Sequence, residues 1–542
     1  MSAAQIVPRP ARLAEGSGRP VEIAGPLTIA AGPDLAAEVR WFRRALEAAT
    51  GFGVELVGPD NPALLRLSVG KLRRGDGGSG PPGAYRLESH DGQIVVTGDS
   101  PIGVFYGLQT LRQLLPDRTL RRAPAAPREP SPIVAVDPVM VEDWPRFEWR
   151  GLLIDLARHF MPKDFVLKLV DLVAFHKLNV LHLHLTDDQG WRVPVERYPR
   201  LVEVGAWRRE SPAGHAPEER FDGIPHGGYY SREDLRELVA YAAERHVTVV
   251  PEVDMPGHMS AAIAAYPELG NSDRPIGVGT RWGVSPHVLN LEEPTVRFCT
   301  DVIDEVADLF GGRYFHIGGD ECSTAEWEAS RRGRALMADH GYTRLRQLQS
   351  WFTGRIATHL ESHGTKLVGW EEIAREGAPA GAILVPWRGN GAAAIPAVRS
   401  GHDVVMAPEC SVYLDWAHAD DPAEPLAIRG ATSVERVYMF EPVPDALSDE
   451  HRHRVLGAQC QLWTEYVATP AQAEYQLFPR LCAFAETVWS PAEPDGAARS
   501  YAAFEPRLRR HLGRLSALGV NYRPLEGPTP GQSRRWRTLP RP

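Results

Sequence analysis

Cysteine is scarce in this chain. Its 542 residues include five, Cys299, Cys322, Cys410, Cys460 and Cys482, with no CxxC pair among them. An odd, scattered set argues against a disulfide framework or a clustered zinc site. Most of the five lie in or beside apolar runs, where cysteine acts as a small core residue. Long hydrophobic runs are missing too: none reaches about 18 residues, so no membrane-spanning helix is expected. The opening MSAAQIVPRPARLAEG has no basic start followed by an apolar stretch. A cytoplasmic location is therefore the expectation. Positive charge is not in excess, with 60 Lys and Arg against 69 Asp and Glu, a net of -9. Such a balance gives no general attraction to nucleic acid or to an anionic membrane, although it allows local basic patches.

What is present is an ordinary soluble composition, 43% hydrophobic and 24% charged, long enough for two or more domains. The spacing predicts a small α+β unit at the start. Val21–Ile23 and 64–69 read as strands, and 34–50 reads as a helix with Leu35, Val39, Phe42 and Leu46 on its apolar face. Residues 74–83, rich in glycine and proline, are expected to form a mobile loop. Residues 84–88 and 93–98 flank His90-Asp91-Gly92 as a hairpin. Ser100-Pro101 starts a helix buried along Ile102, Phe105, Leu108, Leu111 and Leu115. From Pro116 to Pro145, closely spaced prolines predict a linker. The expected division is a domain with its linker over 1–145, a catalytic domain over 146–495, and a C-terminal helix and tail over 496–542 packing on that domain.

After Phe147 the pattern becomes strand, loop, helix, repeated. Strands are expected at 151–155, 180–185, 247–252, 314–318, 366–369, 382–385, 403–407 and 455–461. Helices are expected at 164–178, 232–245, 294–310, 344–363 and 471–488. This alternation implies a parallel sheet, and about eight units fit a (β/α)8 TIM barrel. A doubly wound open sheet is the alternative; no glycine-rich phosphate loop follows the first strand to support it.

A barrel builds its site at the C-terminal ends of its strands. Those ends carry Arg158 and His159; Asp187, Asp188 and Trp191; Asp254 and His258; Asp320 and Glu321; Trp370 and Glu371; Trp387; Tyr413 and Asp415; and Trp463 and Glu465. Tryptophan faces and carboxylates suit a neutral sugar, whose C–H faces pack on rings and whose hydroxyls pair with acids and arginine. The most pointed stretch is His316-Ile-Gly-Gly-Asp-Glu321, an apolar run ending in two glycines and two adjacent acids. Neighbouring acids raise each other's pKa, which suits acid catalysis. Neighbours on one chain cannot easily flank a glycosidic bond as a usual carboxylate pair does, so one of them must have another task.

The chain resembles the family 20 glycoside hydrolases, the β-N-acetylhexosaminidases. The resemblance rests on 143–160 (DWPRFEWRGLLIDLARHF), 182–192 (HLHLTDDQGWR), 251–258 (PEVDMPGH), 316–321 (HIGGDE), 368–372 (VGWEE), 462–466 (LWTEY) and 479–489 (PRLCAFAETVW). It implies an exo-acting, retaining enzyme that removes terminal β-linked N-acetylhexosamine with no metal or organic cofactor. The substrate's own acetamido oxygen would be the nucleophile. Asp320 would stay ionised and orient the acetamido N–H, and Glu321 would protonate the leaving oxygen and then activate water. Tyr413 would hydrogen-bond the acetamido oxygen, and Asp187 with His258 would tune Glu321. Arg158, Asp415 and Glu465 would hold sugar hydroxyls. Trp370, Trp387 and Trp463 would enclose the ring and acetamido group, and Asp254 would support the acid pair from behind. The implied partner is an oligosaccharide or glycoconjugate ending in N-acetylhexosamine, with no nucleic acid or membrane partner. One stretch departs from the family pattern: Val385-Pro386, before Trp387, stands where a more polar run is expected.

Other readings remain on the table. His182 and His184 share one face of a strand and would suit a metal-dependent amidohydrolase barrel, but no further ligand set is evident, so they are read as buried polar core. Gly-Gly-Asp-Glu also occurs in nucleotide cyclases, which need a hairpin and a following aromatic; Cys322 follows here. A disaccharide-releasing relative and a catalytically dead sugar-binding barrel are further alternatives. Asp188 is read as structural. Trp191 and Trp207 are open between pocket and packing.

Overall fold

The structure, a computed structural model, describes residues 5–72, 82–122, 134–215, 218–272, 274–428, 430–492 and 499–535. Eight parallel strands close into a barrel: Trp149–Asp155, Val180–His184, Thr248–Glu252, Tyr314–His316, Lys366–Trp370, Ile383–Val385, Asp403–Met406 and Val455–Leu462. The last pairs with the first, from Trp149 opposite Gly457 to Ile154 opposite Leu462. Closure removes the open-sheet alternative. These strands have no solvent face; every residue of Trp149–Asp155 is buried. That is why they read as short continuous apolar runs, and their bounds differ from expectation by only a residue or two.

Helices Lys163–Phe175, Arg232–Ala243, Glu293–Phe310 and Arg346–Ser362 return the chain between strands. Ser231 and Asp234 start the second with a reciprocal capping box. The helix expected over 471–488 is two, Pro470–Leu477 and Arg480–Trp489. Pro479 has no N–H to continue the first, and its ring would clash with the preceding turn. Among the described residues, no helix is long and apolar enough to cross a membrane.

The N-terminal unit is a seven-stranded mixed sheet. Its hairpin, Tyr85–His90 with Gln93–Gly98, turns on Asp91 and Gly92, with φ of 48° and 83°. Two left-handed residues make the tight turn whose twist matches paired strands. Helix Pro101–Leu114 begins where Ser100 accepts the Gly103 N–H. The strands Arg12–Glu15, Leu27–Ala30 and Val54–Val57 were not anticipated. Of the loop expected to be mobile, 74–83, residues 74–81 lie outside the described residues.

The expected linker is partly sheet. Val139–Asp143 pairs antiparallel with Tyr85–Ser89 on one side and with Arg12–Glu15 on the other. Proline density hid it: Val139-Met-Val-Glu-Asp143 is itself proline-free between Pro138 and Pro145. This strand carries Asp143, whose Oδ2 accepts from Lys177 Nζ at 2.8 Å, Tyr85 Oη at 2.7 Å and Trp489 Nε1 at 3.0 Å. Lys177 and Asp143 are fully buried. A buried pair with its remaining valences filled fixes the seam between the two units. The C-terminal helix Tyr501–Ala517 packs on both of them, not on the barrel alone. Arg510 pairs with Asp117, and Arg507 with Glu486.

Candidate active site

The acid pair is built by a backbone bend. The fourth barrel strand stops at His316, and Gly318, Gly319 and Glu321 all have positive φ, 62°, 87° and 45°. In a continued strand Asp320 and Glu321 would face opposite sides. A Cβ at Gly318 would overlap the Asp254 carboxylate, and one at Gly319 would overlap Ile373. Only glycine permits both the left-handed turn and this close approach. Gly318→Ala is expected to lower kcat/KM by about 100-fold, because it displaces both acids from their partners. Steady-state kinetics on an aryl glycoside check this, and near-normal activity would show that the bend is dispensable.

Behind the pair stands Asp254. It is fully buried, and its Oδ1 accepts the Gly319 N–H at 2.9 Å. Burial, then the charge of Asp320, pushes its carboxyl well above the usual carboxylate range, so it is held neutral. Asp320 is also raised by burial, but His258 and a hydrogen bond from Asp254 pull it back. Two adjoining carboxyls thus divide one negative charge, and Asp320 is the one placed to carry it. Glu321 is raised as well, by burial first and then by Asp320. Its side chain is 30% exposed, so its proton can exchange with solvent.

His258 faces both acids. Its Nε2 lies 3.7 Å from Asp320 Oδ2 and 3.7 Å from Glu321 Oε2. Its Nδ1 donates to Asp187 Oδ1 at 3.2 Å and lies 3.3 Å from Asp188 Oδ2. Burial opposes the imidazolium, yet Asp187 and Asp320 outweigh it and raise the pKa well above 6.5. His258 and Glu321 are both non-glycine residues in left-handed backbone, with φ of 54° and 45°. Strain of this kind collects where a site fixes its geometry. His258→Asn removes a cation that lowers both facing carboxyls, so the pH–activity profile is expected to move to higher pH. A pH–rate series on wild type and variant checks this; a shift to lower pH would contradict the imidazolium.

Asp187 is the hub of a longer chain of charges. Besides His258 it receives Arg158 Nη2 at 2.9 Å and His184 Nε2 at 3.0 Å, and it accepts the Asp188 N–H. Burial would raise its pKa, but Arg158 and His258 hold it well below the usual range. The other nitrogen of His184, Nδ1, meets Glu252 Oε2 at 2.6 Å. Glu252 also lies against His182 at 3.1 Å and His316 at 2.9 Å, and accepts Trp370 Nε1 at 2.9 Å. It was not singled out in the sequence. The available signal was an acid inside the apolar run Val249-Val-Pro-Glu252, since a buried acid needs partners. His182 and His184 are buried polar residues as expected, and both are members of this network.

The pocket above has a volume of about 150 Å3 and is lined by Arg158, Asp320, Glu321, Trp370, Trp387, Tyr413, Asp415, Trp463 and Glu465. Asp187, His258 and Asp254 stand behind its wall. Glu409, Trp416 and Ile428 also line it and were missed. Trp416 follows Asp415 directly, so the same aromatic-and-acid criterion could have found it. Trp370 and Trp463 stand with ring centres 5.9 Å apart. Trp387 lies nearly parallel to Tyr413, with centres 6.0 Å apart and planes at 18°. Its indole N–H donates to Glu372 Oε2 at 3.1 Å. The apolar Val385-Pro386 therefore leaves Trp387 in the pocket, held by the acids after the fifth strand. Burial and then Asp415 push the Tyr413 hydroxyl well above its usual value, so it stays a phenol able to donate. Arg158 reaches Asp155 and Asp187 and sits 5.2 Å from the Trp463 ring; it is an ion-pair partner and a pocket wall at once.

Of the two open readings Trp191 resolves as packing and Trp207 does not, while Asp188 is structural as expected. Trp191 is buried, and its N–H donates to Val193 O at 2.6 Å. Asp188 accepts from Ser260 N–H and Oγ at 3.0 and 2.6 Å. Trp207 is half exposed and lines a separate cavity of about 720 Å3 with Trp282, which holds neither Asp320 nor Glu321. The cyclase reading fails on topology, because Tyr314–His316 is a parallel barrel strand and not part of a hairpin.

Residues 147–492 match the model of the glycosyl hydrolase family 20 catalytic domain, and residues 3–144 that of domain 2 of the same family. The chain is similar to a β-hexosaminidase of Porphyromonas gingivalis, 41% identical over 441 residues covering 81% of this chain. It spans about half, 54%, of that relative's length. A β-N-acetylhexosaminidase of Cellulomonas fimi is 31% identical, with 95% of both chains covered. The fold is similar to that of the exo β-N-acetylglucosaminidase of Vibrio harveyi in complex with N-acetylglucosamine. There the TM-score is 0.82 and the identity 29%, covering 97% of this chain and 79% of the other.

Proposed function

This chain belongs to glycosyl hydrolase family 20, and on that footing we propose that it removes terminal, non-reducing β-linked N-acetylhexosamine from oligosaccharides or glycoconjugates. The observation that carries the proposal is the division of labour between Asp320 and Glu321. The glycine bend sets them side by side at one pocket wall, one backed by a neutral carboxyl and the other partly open to solvent. Two acids on one side cannot act from opposite faces of a sugar, so the nucleophile has to come from elsewhere. In the proposed reaction the substrate's acetamido oxygen attacks the anomeric carbon as Glu321 gives its proton to the leaving oxygen. Asp320 accepts the acetamido N–H and balances the positive charge of the resulting oxazolinium ion. Tyr413 donates to the acetamido oxygen. Glu321 then takes a proton from water, which opens the ring with retained configuration.

In this reading Arg158, Asp415 and Glu465, which line the pocket, bind hydroxyls, and the tryptophans of the lining cover the ring. A pocket of about 150 Å3 supports removal of one sugar and not of a disaccharide. Product analysis on chito-oligomers and on a galacto analogue tests this. Monosaccharide release from the non-reducing end is expected; release of disaccharides, or binding without turnover, would overturn it.

A further inference from the structure

Arginine gathers at a place the hydrolytic site does not use. Phe175 and Arg245 lie just before the second and third barrel strands, on the face of the barrel away from the catalytic ends. There the N-terminal unit closes over the barrel and leaves a cavity of about 240 Å3. Trp41 and Phe175 line it, together with Arg112, Arg121, Arg122 and Arg245. Among the described residues its one lining acid, Asp171, is already engaged, accepting Arg245 Nε at 2.6 Å and Tyr241 Oη at 2.8 Å. Arg44 and Lys168 also reach the cavity, but Glu244 and Glu474 pair with them.

Arg112 is the centre of this arrangement. Its guanidinium carbon is 5.4 Å from the Trp41 ring centre and 5.2 Å from that of Phe175. Its Nη1 donates to Gln109 Oε1 at 2.9 Å. Held between two aromatic rings, it has a fixed plane with N–H groups left for another acceptor. Among the described residues, none of Arg112, Arg121 and Arg122 has a carboxylate within ion-pair distance. Burial lowers the Arg112 pKa to about 10, with Asp171 working the other way and Arg245 adding to the fall. In a protein of net charge -9, this is a local surplus of cation short of negative charge.

We propose that this cavity binds a phosphate- or sulfate-type oxyanion, held by Arg112 with Arg121 and Arg122 around it. The planar, multi-donor guanidinium is the side chain best matched to such an ion. At about 30 Å3 per water, the cavity has room for about eight waters. A bare ion or a small organic ester therefore fits.

Calorimetric titration of the full chain at low ionic strength tests this, with inorganic phosphate, inorganic sulfate, a hexose phosphate and a hexose sulfate as probes. Saturable binding is expected that weakens with added salt, falls about tenfold in Arg112→Gln and falls several-fold in Arg122→Gln. Esters binding more tightly than the inorganic ions would identify an organic ester as the ligand; equal affinities would identify the free ion. Arg122 is exposed, so its variant keeps the test decisive if Arg112→Gln folds poorly. Aryl glycoside hydrolysis is expected to be unchanged in Arg122→Gln. Absence of saturable binding, or binding equal to wild type in both variants, would overturn the proposal.

Discussion

Glu321→Gln is expected to lower kcat/KM on chito-oligosaccharides by about 10²–10⁴-fold and to lower it far less on an aryl glycoside with a good leaving group. The geometry gives the reason. Glu321 is the member of the acid pair whose pKa burial and then Asp320 raise and that solvent can still reach. Its proton matters most when the departing oxygen is a strong base. An activated phenol leaves without that proton, so the first chemical step loses little. Asp320 would remain with His258 and Asp254 behind it, and acetamido attack would continue. Steady-state kinetics on the two substrate types make the comparison. Equal losses on both would mean that Glu321 is not the acid.

The second large effect concerns stability. Glu252→Gln is expected to destabilise the fold by about 3–5 kcal/mol near neutral pH. Glu252 is fully buried, and its pKa is driven far down because the three histidines outweigh the cost of burial. The amide would take from the buried His184 imidazolium the charge that raises its pKa most, leaving it with Asp187 as its ion-pair partner. A group whose folded pKa is depressed contributes stability above its unfolded pKa, about 4.3 for Glu, and loses it as pH falls through the folded value. The gap between wild type and variant is therefore expected to narrow from about pH 4 downward. His184 acts in the opposite sense: its contribution is present below about 6.5 and fades as pH rises through its raised folded pKa. Urea unfolding at about pH 7 and about pH 3.5 measures the gap. A gap unchanged between the two would mean that Glu252 is not held as an anion.

What could be read in advance follows from burial and periodicity. The barrel strands were legible because both faces are buried, which leaves short apolar runs between helices of clear spacing. The pocket was legible because acids and aromatics at successive strand ends have no packing reason to be there. Val139–Asp143 was not, since a five-residue strand among prolines gives no local period, and its partners lie more than 40 residues earlier. The split of 471–488 was visible in Pro479 but masked by apolar spacing that runs through it. Glu252 has partners from the second, fourth and fifth strands, so its role exists only after closure. The arginine cavity is legible in no single segment, since its residues run from Trp41 to Arg245 and only the docking of the two units joins them.

The central claim is that the substrate supplies its own nucleophile while Asp320 and Glu321 perform different tasks. The most direct measurement is kcat/KM on aryl glucosaminides whose N-acetyl group carries none, one, two or three fluorines. Each fluorine weakens the acetamido oxygen as a nucleophile without changing the leaving group. The account predicts a steep, continuous fall in log kcat/KM across the series. A flat dependence would contradict it and return the search for a nucleophile to the protein.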